Sequence, residues 1–240
     1  MWTAEHIASM LSSGLAAGEK AAVAEQSPLG LDALGETELH PILAAGIAAS
    51  GHTALREVPY PGSFAGMPLP RERERCDLVV LPEGVDALLD PLTLLRAARD
   101  REATLFAGVT EPLPEGCPPE DAFWLEVKVV AQYAFVEDVP GPNRSYASQL
   151  TRGPRADLAK LAREPMIDAG GVAIVLFGAE ADGVRHDLGV SFSAMLDRDL
   201  PVSSPAIEII DIADRSGNAA VGVCVVPLRA ARDRVPGGGA

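Results

Sequence analysis

The stretch AFWLEVKVVAQYAFVED, Ala122–Asp138, decides the fold. Aromatic and β-branched residues dominate it, the composition that a pleated, largely buried strand favours. Side chains two apart on a strand share a face. Glu126 and Lys128 therefore point one way while Leu125, Val127 and Val129 point the other. An ionised pair set into so apolar a strand loses hydration and is tolerated only where partners meet it. Either the pair lies on a solvated half of the strand, or it faces a site.

Upstream, RERERCDLVVLPEG (71–84) starts polar, turns apolar and is closed by Pro82 and Gly84, which predicts a second strand carrying Asp77. Arg71, Arg73 and Arg75 share strand parity with Asp77; they read either as a solvated charge run or as a phosphate-facing row. Thr53–Val58 reads as an earlier strand stopped by Pro59 and Pro61. Between Asp77 and Glu126, Asp90-Pro91 supplies a cap and a first-turn proline, predicting a helix to about Phe106. Thr37–Ser50 predicts a helix capped by Thr37, with Leu39, Ile42, Leu43 and Ile47 as its apolar stripe. Residues 4–24 are Ala-rich and read as another helix.

Downstream, VPGPNRSYASQ (139–149) reads as a loop and LTRGPRADLAKLARE (150–164) as mixed turn and helix, helical near Arg155–Ala162. GGVAIVLFG (170–178) is a continuous apolar run, expected as a buried central strand. A helix is expected within His186–Leu200, then two strands within Ala206–Leu228 joined at DRSGN. The expected organisation is a helical extension over 1–35, one mixed α/β domain over 36–228 and a flexible tail over 229–240.

The chain has 240 residues, a length for one large domain, with 48% apolar and 22% charged residues, which is globular and not disordered material. Twenty Lys and Arg against 34 Asp and Glu leave a net charge of −14. That excludes a protein coated all over in positive charge but permits a local basic groove. Cys76, Cys117 and Cys224 lack CxxC spacing, and His6, His40, His52 and His186 are scattered, so neither a disulfide scaffold nor a structural zinc site is expected. With no apolar run of spanning length and no signal pattern, no membrane partner and a cytoplasmic location are expected. No Walker, GxGxxG, HExxH or GxSxG arrangement occurs.

If the strands bearing Asp77 and Glu126 are neighbours, Asp77, Glu126 and Lys128 meet. Two carboxylates offer hard oxygen ligands to Mg²⁺ or Mn²⁺, and an adjacent lysine can orient water and stabilise charge on a phosphoryl oxygen. Hydrolysis of a phosphodiester bond fits that set. In this order of elements the chain resembles the PD-(D/E)xK nuclease superfamily over about residues 36–178. It offers a helix with an acidic residue, a strand, Asp77 on the next strand, Glu126-Val127-Lys128 on the third, then a helix and an apolar strand. Cys76 stands where the family motif has proline, and the long interval from Asp77 to Glu126 implies an insertion.

The resemblance implies an α/β fold with a restriction-endonuclease-like mixed central sheet flanked by helices and extended by C-terminal strands. It implies Asp77, Glu126 and Glu38 as metal ligands, with Glu36 a competitor for the place of Glu38. Lys128 would be the water-orienting lysine and Mg²⁺ or Mn²⁺ the cofactor. The implied substrate is nucleic acid, DNA ahead of RNA, with recruitment through a partner protein or a homodimer. Arg144, Arg152 and Arg155 could extend a phosphate-binding groove, and Gln132 could touch substrate. Tyr133 and Tyr146 read as core residues or as base-stacking platforms. A noncatalytic binding or assembly module of the same fold is the competing expectation.

Overall fold

The computed structural model describes residues 2–62, 74–91, 93–95, 115–136 and 139–229. Arg71, Arg73, most of the helix expected from Asp90 to Phe106, the end of the strand expected to reach Asp138, and the tail beyond Arg229 lie outside them. Four helices, α1 (Ala4–Ala24), α2 (Glu36–Ala49), α3 (Tyr146–Leu161) and α4 (Ala181–Leu196), surround the sheet among the described residues. The main sheet contains β1 (Thr53–Pro59), β2 (Arg75–Leu81), β3 (Phe123–Ala131), β6 (Ala169–Gly178), β7 (Ala206–Asp211) and β8 (Ala220–Pro227). Its order is β1-β2-β3-β6-β8-β7, and β4 (Tyr133–Val136) with β5 (Val139–Pro142) forms a separate hairpin. The mixed sheet flanked by helices, with extra C-terminal strands, is the architecture expected above.

Alternation distributes the core. Leu125, Val127, Val175 and Val223 pack with Ile7, Leu11, Leu43 and Ile47 from α1 and α2. Trp124, Ile174, Leu176 and Cys224 pack with Leu150, Leu158, Leu188 and Met195 from α3 and α4. A strand between two helical layers must be apolar on both sides, which is why β6 reads as an unbroken apolar run. No described helix is long and apolar enough to cross a membrane.

Pairing around β3 makes the opening in which chemistry can sit. β3 runs parallel to β6 along its whole length, Phe123↔Ala169 through Ala131↔Phe177. It pairs with β2 only at Phe123, Trp124 and Leu125. Beyond Leu125 the two strands separate. The strict face alternation of β2 also breaks there: Leu78 and Val80 join the α1–α2 side, whereas Cys76 joins the α3–α4 side. Opposite this break, Glu57 in β1 holds a left-handed backbone, φ 54°, a conformation that costs a non-glycine residue about 1–2 kcal/mol.

Two proline-containing helices show how the chain overrides local breakers. Pro154 lies inside α3 and cannot donate to the Leu150 carbonyl. The Ser191 hydroxyl of α4 donates to that oxygen instead, at 2.7 Å, so the helix continues from Tyr146 through a stretch expected to be partly turn. In α2 the cap is Gly35 and not Thr37, and the Glu38 carboxylate accepts the Gly35 N–H at 2.7 Å.

α1 and α2 cross with their backbones touching. A Cβ built on Gly46 would lie 2.2 Å from the Met10 carbonyl oxygen and 2.6 Å from the Gly14 nitrogen. Backbone cannot yield as a side-chain tip can, so Gly46→Ala must push the helices apart. Chemical denaturation is expected to show a loss of about 2–3 kcal/mol, and an unchanged midpoint would disprove this account of the crossing.

Candidate functional site

Where β2 and β3 part, two β3 amides lose their strand partners and carboxylates replace them. Asp77 Oδ2 accepts the Val127 N–H at 2.7 Å, and Glu36 Oε2 accepts the Val129 N–H at 3.3 Å. The opened ladder thus draws one acid from β2 and one from the first turn of α2 into the notch. Glu126 is buried in the same place, 2% exposed, and lies near enough to Asp77 for their charges to oppose each other. Two acids so placed cannot both ionise cheaply.

Lysines frame the acids. Lys128 Nζ lies 3.1 Å from Glu36 Oε1 and 3.2 Å from Asp157 Oδ2. Lys160 Nζ, from α3, lies 2.7 Å from Glu126 Oε1, which also accepts a short hydrogen bond from the Tyr60 hydroxyl. Tyr60 stacks on Trp124, ring centroids 5.8 Å apart, and the Lys160 ammonium sits over the Tyr60 ring, 5.1 Å from its centroid. The Tyr60–Lys160 pair holds Glu126 in one orientation.

Burial, then the neighbouring Asp77 charge, pushes Glu126 up to about 7. Burial also raises Asp77, against the opposing pull of the Val127 N–H and the Glu126 carboxyl. Asp157 is raised by burial as well. Burial alone would lower Lys128, but the Asp157 and Glu36 carboxylates outweigh it and push the ammonium up to about 12. Burial thus favours the protonated forms of Glu126, Asp77 and Asp157, while the neighbouring acids keep Lys128 charged.

A third group adjoins Asp77. His40, Glu57 and Asp77 each bring one ligand atom within 4.8 Å of the others, a potential metal-binding cluster. His40 is buried, its Nδ1 lies 3.8 Å from Glu57 Oε1, and its Nε2 has no hydrogen-bond partner. Burial lowers its pKa, favouring the neutral imidazole that can ligate a metal. An imidazole beside two carboxylates fits a divalent ion, and a mixed nitrogen and oxygen set suits Mn²⁺ better than the oxygen-seeking Mg²⁺.

Of the residues expected at a site, the structure brings Asp77, Glu126 and Lys128 to one notch. Glu38 is not brought there. Its carboxylate caps α2 at Gly35, and Glu36, two residues earlier, occupies the place beside Lys128. His40, Tyr60, Glu57, Asp157 and Lys160 were not expected. The spacings Glu36/His40 and Asp157/Lys160, four and three residues apart, put each pair on one helix face and were the available signals; Tyr60 had none. Gln132 lies past the end of β3, where its Oε1 accepts the Ala179 N–H and its Nε2 reaches Asp187 and Tyr146. Tyr146 is committed to the same group, donating to Asp187 at 2.5 Å.

Compared with protein-family models, curated proteins and solved structures, the chain matches none. The geometry of the notch has to carry any functional reading by itself.

Proposed function

We propose that this chain is a divalent-metal-dependent phosphodiesterase acting on nucleic acid, with a site of PD-(D/E)xK type. The observation that supports this most is the convergence of Asp77, Glu126 and Lys128 on one notch at the point where their strands separate. Asp77 and Glu126, with His40 and Glu57 adjoining Asp77, are the residues that would hold Mn²⁺ or Mg²⁺. When bound, the ion polarises a phosphoryl oxygen and makes its water more acidic. Lys128 donates to Glu36 and lies 3.2 Å from Asp157, which leaves donor capacity for the attacking water or a phosphoryl oxygen. Lys160 and Tyr60 orient Glu126 so that it faces Asp77. DNA as the substrate follows from the resemblance, and delivery by a partner protein or a second copy from the acidic net charge, which disfavours strong unaided binding to phosphates.

One observation favours a second reading, a noncatalytic binding or assembly module. Lys128 and Glu126 are both tied into ion pairs within the chain. Cleavage of labelled DNA and RNA with Mg²⁺ or Mn²⁺ separates the two. On the catalytic reading, Lys128→Ala slows cleavage about 10²-fold while leaving metal-induced stabilisation in place. Equal cleavage by the variant and its parent would remove Lys128 from the mechanism.

A further inference from the structure

The outer flank of α3 carries three arginines with no counter-ion. Arg152 and Arg155 of α3 and Arg198, just beyond α4, converge on a hollow of about 340 Å³ completed by Ala156 and Leu200. Arg152 and Arg198 are exposed and Arg155 is half-buried. Among the described residues none of the three forms an ion pair or a side-chain hydrogen bond. Asp197 and Asp199 flank Arg198 in the chain, yet neither lines the hollow. In a protein of net charge −14 this is unusual. Three guanidiniums repel one another, carboxylates are abundant, and the hollow is left without one. An oxyanion bound between them would relieve the repulsion, and guanidinium forks match phosphate geometry.

The position on α3 identifies the source of that phosphate. Asp157 and Lys160 project from α3 into the notch, whereas Arg155 is two residues, about 200° around the helix, from Asp157. Arg152 and Ala156, however, lie only about 80° and 40° around the helix from Lys160, so the arginine hollow adjoins the acid–lysine site along α3. One nucleic-acid backbone running along α3 can therefore place one phosphate at the hollow and another near the notch.

We infer that Arg152, Arg155 and Arg198 bind backbone phosphates of DNA whose chain runs along α3 to the notch. This rests on the nucleic-acid reading of the notch and adds to it a grip on the strand beside the notch. The three arginines are positioning residues: they set register and affinity and touch no reacting atom.

The test is fluorescence anisotropy of a short labelled DNA duplex with the full chain in EDTA, repeated over a range of salt. The triple variant Arg152→Ala, Arg155→Ala, Arg198→Ala should bind about tenfold or more weakly at low salt. The slope of log affinity against log salt should shrink by about 0.9 for each phosphate that the variant no longer neutralises. A control triple at other exposed cations, Lys20→Ala, Arg163→Ala, Arg185→Ala, should keep most of the parental slope. An unchanged slope in the first triple, an equal fall in the control, or no measurable binding by the parent would overturn the assignment. Cleavage that ignores Lys128→Ala would remove the mechanism at the notch and leave the arginine site standing on its own binding data.

Discussion

In EDTA the protein loses stability as the pH rises from about 4.5 to 8, and Glu126→Gln removes about 3 kcal/mol of that loss. The sign follows from where the proton resides. Glu126 is raised from 4.5 to about 7 in the folded chain, by burial first and then by Asp77. Below about pH 4.5 both folded and unfolded states are protonated at this residue, and its contribution is complete and flat. Between about 4.5 and 7 the unfolded chain has released a proton that the folded chain retains, so each pH unit costs about 1.4 kcal/mol. Above about 7 both states are ionised and the loss stops growing. Asp77 and Asp157 are raised as well and work in the same direction, while His40, lowered by burial, opposes them below about pH 6.5. Urea denaturation of parent and Glu126→Gln at pH 5 and pH 8 reads the difference. Parallel pH dependences in the two proteins would show that Glu126 does not hold the proton.

Asp77→Asn is expected to abolish stabilisation by Mn²⁺ and to slow cleavage about 10³-fold, some 4 kcal/mol of activation free energy. Asp77 belongs to both constellations: it lies beside Glu126 and it closes the group with His40 and Glu57. The amide oxygen of asparagine can still accept the Val127 N–H, so the strand junction survives while the charge that attracts a cation is gone. At a free ion concentration one hundred times the dissociation constant, the parent gains about 2.7 kcal/mol, readable as a thermal shift that the variant lacks. Glu38→Ala is the informative control. It removes the cap at Gly35 and costs about 1 kcal/mol of stability but leaves the Mn²⁺ shift unchanged. A parental Mn²⁺ shift in Asp77→Asn would refute the metal site.

Strand composition made most of the fold legible. The aromatic and β-branched run around Trp124 and the unbroken run in β6 have no alternative that buries them, so their identity as central strands follows from composition and parity. The limits of these elements were less accessible, because tertiary partners set them. β3 stops at Ala131 since Asn143 takes up the Ala131 carbonyl and Gln132 turns to Ala179, residues distant in sequence. α3 runs through Pro154 only because a hydroxyl from α4 replaces the missing donor. The site shows the same division. Glu126 and Lys128 announce themselves as charges within an apolar strand. Glu36 could be told from Glu38 only by knowing which of them the Gly35 amide would claim. Lys160 and Tyr60 reach Glu126 from elements whose packing no local pattern specifies.

The packing of α1 bears on the order in which the protein assembles. This helix packs on β7 and β8, and Glu19 near its end receives Arg215 and the Ala213 amide from the connection between those strands. Emerging from a ribosome, α1 can meet α2 early, but its face toward β7 and β8 must wait until those strands are made before these neighbours exist. Such distant closure slows folding and leaves an apolar helix face open to chaperones in the meantime. One face of α1 is thus completed only when β7 and β8 arrive.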